Sequence, residues 1–275
     1  MIRMLAYMLA PTLAVSLPTP ALAWGALGHR VSATIAERNI SGNTRAHVET
    51  IFGPMGLPEA STMPDEQRQN PDPFWQGAAS WHRIEVERGK HIADRQPHEG
   101  GDAVNALEWA VVTLRDPAAS AENRRRALAF AVHLVADTHL PVHFNAEPLG
   151  GGDFPVLWFG EQRSMHWAFE EGLLLQKQLS ASEYADQLIA RTRPRDVTAW
   201  WTPEMEVWMN EGIAMREVLY DEVEAGWAPG DAPLNLGFQF VYDWTPDMEL
   251  RLLQSGIRTA AFLDWIFAEA VQPAD

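Results

Sequence analysis

The strongest constraint on this chain is a run of polar metal-binding side chain types inside an apolar segment: Phe130-Ala-Val-His133-Leu-Val-Ala-Asp137-Thr-His139-Leu-Pro141-Val-His143. Leu128, Phe130 and Leu134 recur at helical spacing, and Ser120 stands where an N-cap belongs, so the run predicts a helix from about 121 to 138. Pro141 has no N–H to continue it, so the helix ends there and His143 can turn back toward it. His133 and Asp137 are four residues apart, on one face and close enough to share one metal ion. A bland alternative is a helix end with separately satisfied histidines.

A second segment, Met165-His166-Trp-Ala-Phe-Glu170, repeats the four-residue spacing on another predicted helix. Alone, such a His–Glu pair is also a common surface pair. Asp65, in a Pro- and Gly-rich stretch, and His82, at a predicted strand start, are further candidates. The chain of 275 residues has no cysteine, which excludes disulfides, thiolate nucleophiles and cysteine zinc sites. Any metal must be held by His, Asp, Glu or backbone.

Residues 1–23 read as a secretory signal: Arg3, an apolar run from Leu5 to Leu17, and Ala21-Leu22-Ala23 as the small-residue cleavage pattern. The run is shorter than the ~20 residues of a spanning helix, and Pro11 interrupts it. Cleavage would leave Trp24 with a free amine, which with its own carbonyl can chelate a metal in a five-membered ring, completed by His29 nearby.

Further helices are predicted over 29–38, 41–51, 104–114, 165–175, 181–190, 203–219 and 245–267, with 53–81, 89–101 and 145–153 as loops. His82–Val86 and Phe154–Phe159 are expected to form a small hairpin-like patch. The expectation is a mainly α, single-domain multi-helix fold over residues 24–275, with at most a small β patch. The formal charge of −16 disfavours a nucleic-acid binder that relies on a basic patch. A phosphate-handling enzyme is compatible with it where metal ions supply positive charge locally. Twelve tryptophans suggest aromatic packing, a stacking surface, or both. His47, His91 and His98 read as exposed, His139 as a neighbour of ligands, Arg124 to Arg126 as a solvated helix face, and Trp81 and Trp167 as walls of a cleft.

Together these residues resemble the zinc-dependent single-strand nucleases of the S1/P1 type and their relatives, the zinc-dependent bacterial phospholipases C. The likeness lies in Trp24-Gly-Ala-Leu-Gly28-His29, in His133 to His143 with the glycines that follow, in His166 to Leu174, and in the segments 236–240 and 251–261. It implies a helical fold with three zinc ions at the bottom of a cleft. One zinc is implied at Asp65, His82 and His133; a second at the Trp24 amine and carbonyl with His29; Asp137 bridges these two; a third lies at His143, His166 and Glu170. The implied activity is an exported, monomeric phosphodiesterase, secreted or periplasmic, with single-stranded DNA and RNA as substrates. It would leave 5′-phosphates and could also have 3′-nucleotidase activity, with Asp65 orienting or deprotonating the attacking water. The alternatives are a phospholipase C and a non-catalytic zinc-binding homologue. Four positions depart from the nuclease pattern: Glu170 where Asp is usual, Ser164-Met165 before His166, Met63-Pro64 before Asp65, and Arg83 where an aromatic stacks a base. Arg83 and Ser164 are expected on the substrate side, and Arg83 can stack through its guanidinium plane.

Overall fold

The computed structural model describes residues 25–268; the expected signal, 1–23, and Trp24 lie outside the described residues. Helices α1 (Ala26–Asn39) and α2 (Gly42–Phe52) form as expected, and the Ser41 hydroxyl accepts the Thr44 amide to cap α2. The stretch from Gly53 to Trp81 is not the expected loop. It folds into α3 (Gly56–Ala60), α4 (Met63–Glu66) and α5 (Pro73–Gly77), then a 3-10 turn over Ala78–His82. The prolines that suggested a loop, Pro64 and Pro73, lie in first turns, where an N–H has no intrahelical partner to lose.

Strand β1 (Ile84–Glu85) precedes α6 (Ala103–Arg115), capped by Asp102, and α7 (Ala121–Asp137), capped by Ser120. Then come β2 (Phe144–Asn145), β3 (Pro155–Trp158) and β4 (Glu161–Ser164). The expected pairing of the two apolar runs does not occur. β3 pairs antiparallel with β4 through a turn whose central residues, Phe159 and Gly160, both have positive φ, which suits a tight hairpin. β1 instead pairs parallel with β2, in register Ile84↔Phe144 and Glu85↔Asn145.

Met165–Leu175 is helical, as α8 (Met165–Trp167), a π turn over Ala168–Gly172, and α9 (Leu173–Leu175). α10 (Ala181–Ala190) matches expectation, and an unexpected α11 spans Pro194–Trp200. α12 (Met205–Glu224) runs past the expected Leu219. β5 (Leu234–Leu236) adds parallel to β3, and α13 (Phe238–Phe267) begins seven residues before the expected Thr245. Pro246 is tolerated inside α13 because the carbonyl it leaves unbonded belongs to Tyr242, at an exposed position.

One apolar cluster lies around α6 and α7, and another around α9, α10 and α13. Every residue of α7 from Ala127 to Asp137 is buried, so its polar side chains enter the interior. α1 lies along α13 very closely: a Cβ on Gly256 would stand 2.5 Å from Ile35 Cβ and 2.7 Å from the Ser32 carbonyl oxygen. Among the described residues, no helix is long and apolar enough to cross a membrane.

Candidate metal centre

The final turns of α7 carry His133 and Asp137 into the core, with Nε2 and Oδ2 3.2 Å apart. His133 donates from Nδ1 to the Ser61 carbonyl between α3 and α4, at 2.7 Å. His143 donates from Nδ1 to the His82 carbonyl at 2.7 Å, and His166 to the Gly151 carbonyl at 2.6 Å. Each ring is thereby oriented by backbone, and each turns Nε2 inward as a lone-pair donor. The β1–β2 ladder explains why His82 and His143 are neighbours despite their distance in sequence. Gly152 lets the chain hug His166: a Cβ there would lie 3.1 Å from the His166 amide nitrogen, and its φ is +78°. The Gly152 carbonyl also accepts the His166 amide at 2.8 Å.

Asp137 is the hub. Its carboxylate lies 3.3 Å from His29 Nε2, 3.2 Å from His82 Nδ1 and 3.9 Å from His143 Nε2. The His29 ring stacks on His133 with centroids 3.9 Å apart. On the far side, Glu170 Oε1 lies 3.3 Å from His143 Nε2 and 2.6 Å from His166 Nε2, so the four-residue spacing brings His166 and Glu170 together even across the π turn. Asp65 Oδ1 is 3.9 Å from His133 Nε2 and 2.9 Å from Arg68.

Three sets of side chains have ligand atoms within 4.8 Å of one another: His29, Asp65 and His133; His82, His133 and Asp137; and His143, His166 and Glu170. The third is the set that the resemblance implies. The first two divide the other ligands differently, because His133 belongs to both. Trp24 lies outside the described residues. Gly25, next to it, donates its amide to the Glu170 carbonyl at 3.2 Å.

The donor set fits a metal. His29 Nδ1 and Nε2, Asp137 Oδ1, His143 Nε2 and Glu170 Oε1 are buried without a hydrogen-bond partner, although several lie within 3.3 Å of an opposite group. Buried polar atoms are ordinarily paired. Converging nitrogen and carboxylate lone pairs are the ligands zinc takes.

The electrostatics follow from this crowding of charges. Burial pushes the Asp137 carboxyl up, but the charges of His133 and His143 and its hydrogen bonds outweigh this and hold it well below the usual carboxylate range. Burial holds His29 and His82 below the usual imidazole value, and neighbouring imidazoles add to this. Burial opposes protonation of His133 and His166 too, yet Asp137 with Asp65 raises the first and Glu170 the second.

The other predicted residues separate clearly. Ser164 caps α8, its hydroxyl accepting the Trp167 amide at 3.1 Å. Arg83 forms a fork with Asp153, and His139 donates to the Val135 carbonyl and stacks on Trp208, outside all three sets. Arg125 and Arg126 are not a solvated face: Arg125 covers the Phe52 ring at 3.7 Å and Arg126 that of Phe74 at 4.3 Å. His47 is half-buried against Phe267. Trp81 and Trp167 are half-buried and donate to the Gly100 carbonyl and to Glu171. Arg68 and Asp153 were not anticipated. Arg68's three-residue step from Asp65 was the readable signal for it, whereas nothing in the sequence links Asp153 to Arg83.

The S1/P1 Nuclease family profile matches residues 24–268. The chain is similar to Nuclease P1 of Penicillium citrinum, 28% identical over 52% of this chain and 55% of that protein, so this match spans about half its length. It is similar to Nuclease S1 of Aspergillus oryzae, 24% identical over 94% of this chain and 98% of that protein. It also resembles Endonuclease 2 of Arabidopsis thaliana, 25% identical over 53% of each.

Proposed function

The chain belongs to the S1/P1 nuclease family, and from that premise we propose that it is an exported, zinc-dependent phosphodiesterase that hydrolyses single-stranded DNA and RNA to 5′-phosphate products, with 3′-nucleotidase activity. The observation that carries this reading is the convergence of three His and carboxylate sets, all but Asp65 buried and two of them meeting at His133, with five ligand atoms left unpaired. Asp65, His82 and His133 would hold one zinc, His29 with the Trp24 amine and carbonyl a second, and His143, His166 and Glu170 a third, with Asp137 between the first two. Bound there, zinc supplies Lewis acidity and the local positive charge that a phosphodiester requires in a chain of formal charge −16.

The chain's own residues do the rest. Asp65 is the carboxylate of the cluster that solvent reaches, its side chain 13% exposed against 0% for Asp137 and 2% for Glu170. That exposure supports giving it the task of orienting an attacking water and accepting its proton. Arg68 braces it at 2.9 Å. The backbone carbonyls of Ser61, His82 and Gly151 keep three imidazoles aimed inward throughout. Residues 24–275 act as one monomeric domain, released to the periplasm or medium after residues 1–23 are removed.

The test is purified protein beginning at Trp24, assayed on denatured DNA, RNA and phosphatidylcholine with and without zinc, together with elemental analysis. Cleavage of both nucleic acids, little action on duplex DNA, and about three zinc per chain, the number proposed here, are the expected results. Glu170, shared with the phospholipase branch, motivates the alternative, which efficient cleavage of phosphatidylcholine with nucleic acids left intact would establish. Full zinc with no cleavage of any substrate would mark a non-catalytic homologue.

A further inference from the structure

Between α12 and α13 lies a groove with a cavity of about 390 Å³, where Met215, Val218, Trp244 and Leu250 form apolar walls over a floor of Arg251 and Gln254. That volume suits a small-molecule site. None of the lining residues belongs to the three ligand sets of the metal centre. Val218 and Leu250 are exposed, so the groove opens to solvent.

The floor holds more positive than negative charge. Arg251 and Arg258 are both buried, and both grip the Glu211 carboxylate. His139 brings no charge to answer them: it donates from Nδ1 to the Val135 carbonyl and accepts Arg258 at Nε2. Two guanidiniums thus share one carboxylate. Burial holds the Arg251 guanidinium down at about 10 even with Glu211 against it, and the charge of Arg258 adds to the depression.

The hydrogen bonds of the floor are lopsided in the same sense. Both Glu211 oxygens, the His139 and Trp208 carbonyls and the Gln254 side-chain oxygen all accept from these guanidiniums. Donors are left over. Arg251 Nη2 gives one N–H to the Trp208 carbonyl at 2.9 Å and keeps its other. The Gln254 side chain is 8% exposed, its oxygen is turned to Arg251 at 2.9 Å, and among the described residues its NH2 group meets no acceptor. Buried donors are ordinarily paired. Asp247, the other carboxylate of the lining, is exposed, where water and salt screen it.

We propose that this groove binds an aliphatic carboxylate, with its head on the Gln254 amide and the Arg251 guanidinium and its chain along Met215, Val218, Trp244 and Leu250. The head supplies the acceptors and the negative charge that the floor lacks, and the walls take the chain out of water. The site is separate from the metal centre, and the proposal stands whether or not the chain cuts nucleic acid.

The experiment is isothermal titration of the zinc-loaded mature protein with octanoate, octan-1-ol and octylammonium in turn. Octanoate should bind in the submillimolar range, and the alcohol and the ammonium at least tenfold more weakly, because neither brings a charged acceptor. Gln254→Leu should weaken octanoate about tenfold and leave octan-1-ol nearly unchanged. Val218→Trp, an exposed substitution that fills the groove, should abolish octanoate binding with circular dichroism and zinc content unchanged. The proposal is overturned if octanoate does not bind, or if octan-1-ol or octylammonium binds as tightly. It is also overturned if Val218→Trp, its fold intact, binds octanoate like the wild type, since the carboxylate would then sit elsewhere, as on the zinc.

Discussion

Stripping the metal should cost this protein much of its stability. Five buried polar atoms of the centre have no hydrogen-bond partner: both ring nitrogens of His29, Asp137 Oδ1, His143 Nε2 and Glu170 Oε1. A buried polar atom left unpaired costs about 1–3 kcal/mol. At the low end, because water and protons relieve part of the cost, the set amounts to roughly 5 kcal/mol, a large part of an ordinary domain's stability. For a domain of this size, about 2–4 °C of melting temperature corresponds to each kcal/mol, so the zinc-loaded and chelated forms should melt roughly 10–20 °C apart. The loaded form should rise further with free zinc, as mass action requires. Differential scanning calorimetry, with zinc measured on the same samples, reads this directly. His29→Leu sharpens the test by a reversal of sign: it removes two orphaned nitrogens, so it should stabilise the stripped protein while destabilising the loaded one. A stripped protein, confirmed free of zinc, that melts at the temperature of the loaded one would refute the reasoning.

Gly256→Ala should destabilise by about 2 kcal/mol, the overpacking cost at the α1–α13 contact less the gain in helix propensity; a denaturant midpoint equal to or above wild type would contradict the close contact with Ile35 and Ser32. A chain retaining one residue before Trp24, its mass verified, should keep its circular dichroism and lose most activity; full activity would show that the Trp24 amine is not a ligand. Burial raises the Glu211 carboxyl, but Arg258 and Arg251 outweigh it and hold the group below its ordinary 4.5. Its contribution is therefore complete above that value and lost as pH falls through the lower folded value. The stability gap between wild type and Glu211→Gln should be constant above about pH 5 and close as pH falls below it, and a gap that widens in acid would reverse the assignment.

The centre was legible where its geometry is local. The i,i+4 steps from His133 to Asp137 and from His166 to Glu170 survive folding because helices preserve them, the second even through a π turn. Asp65 and His82 stand more than fifty residues from His133, and only the resemblance joined them to it. The carbonyls of Ser61, His82 and Gly151 that aim the rings have no side chain to read. The prolines misled because Pro64 and Pro73 open helices while Pro246 sits within one, a choice set by tertiary packing. α11 buries none of its residues, so there was no apolar periodicity to reveal it. The strand pairing failed because a two-residue ladder such as β1–β2 is held by what surrounds it, and its own sequence barely specifies a partner.

α13 contributes no side chain to the three ligand sets, yet α1, which carries His29, lies against it at Gly256, and α7 packs on it as well. A chain interrupted anywhere between residue 171 and residue 237 already contains every ligand from His29 to Glu170, but lacks the wall against which α1 and α7 are set. A chain truncated before α13 should therefore keep every side-chain ligand and still fail to assemble the centre, which its zinc content would read.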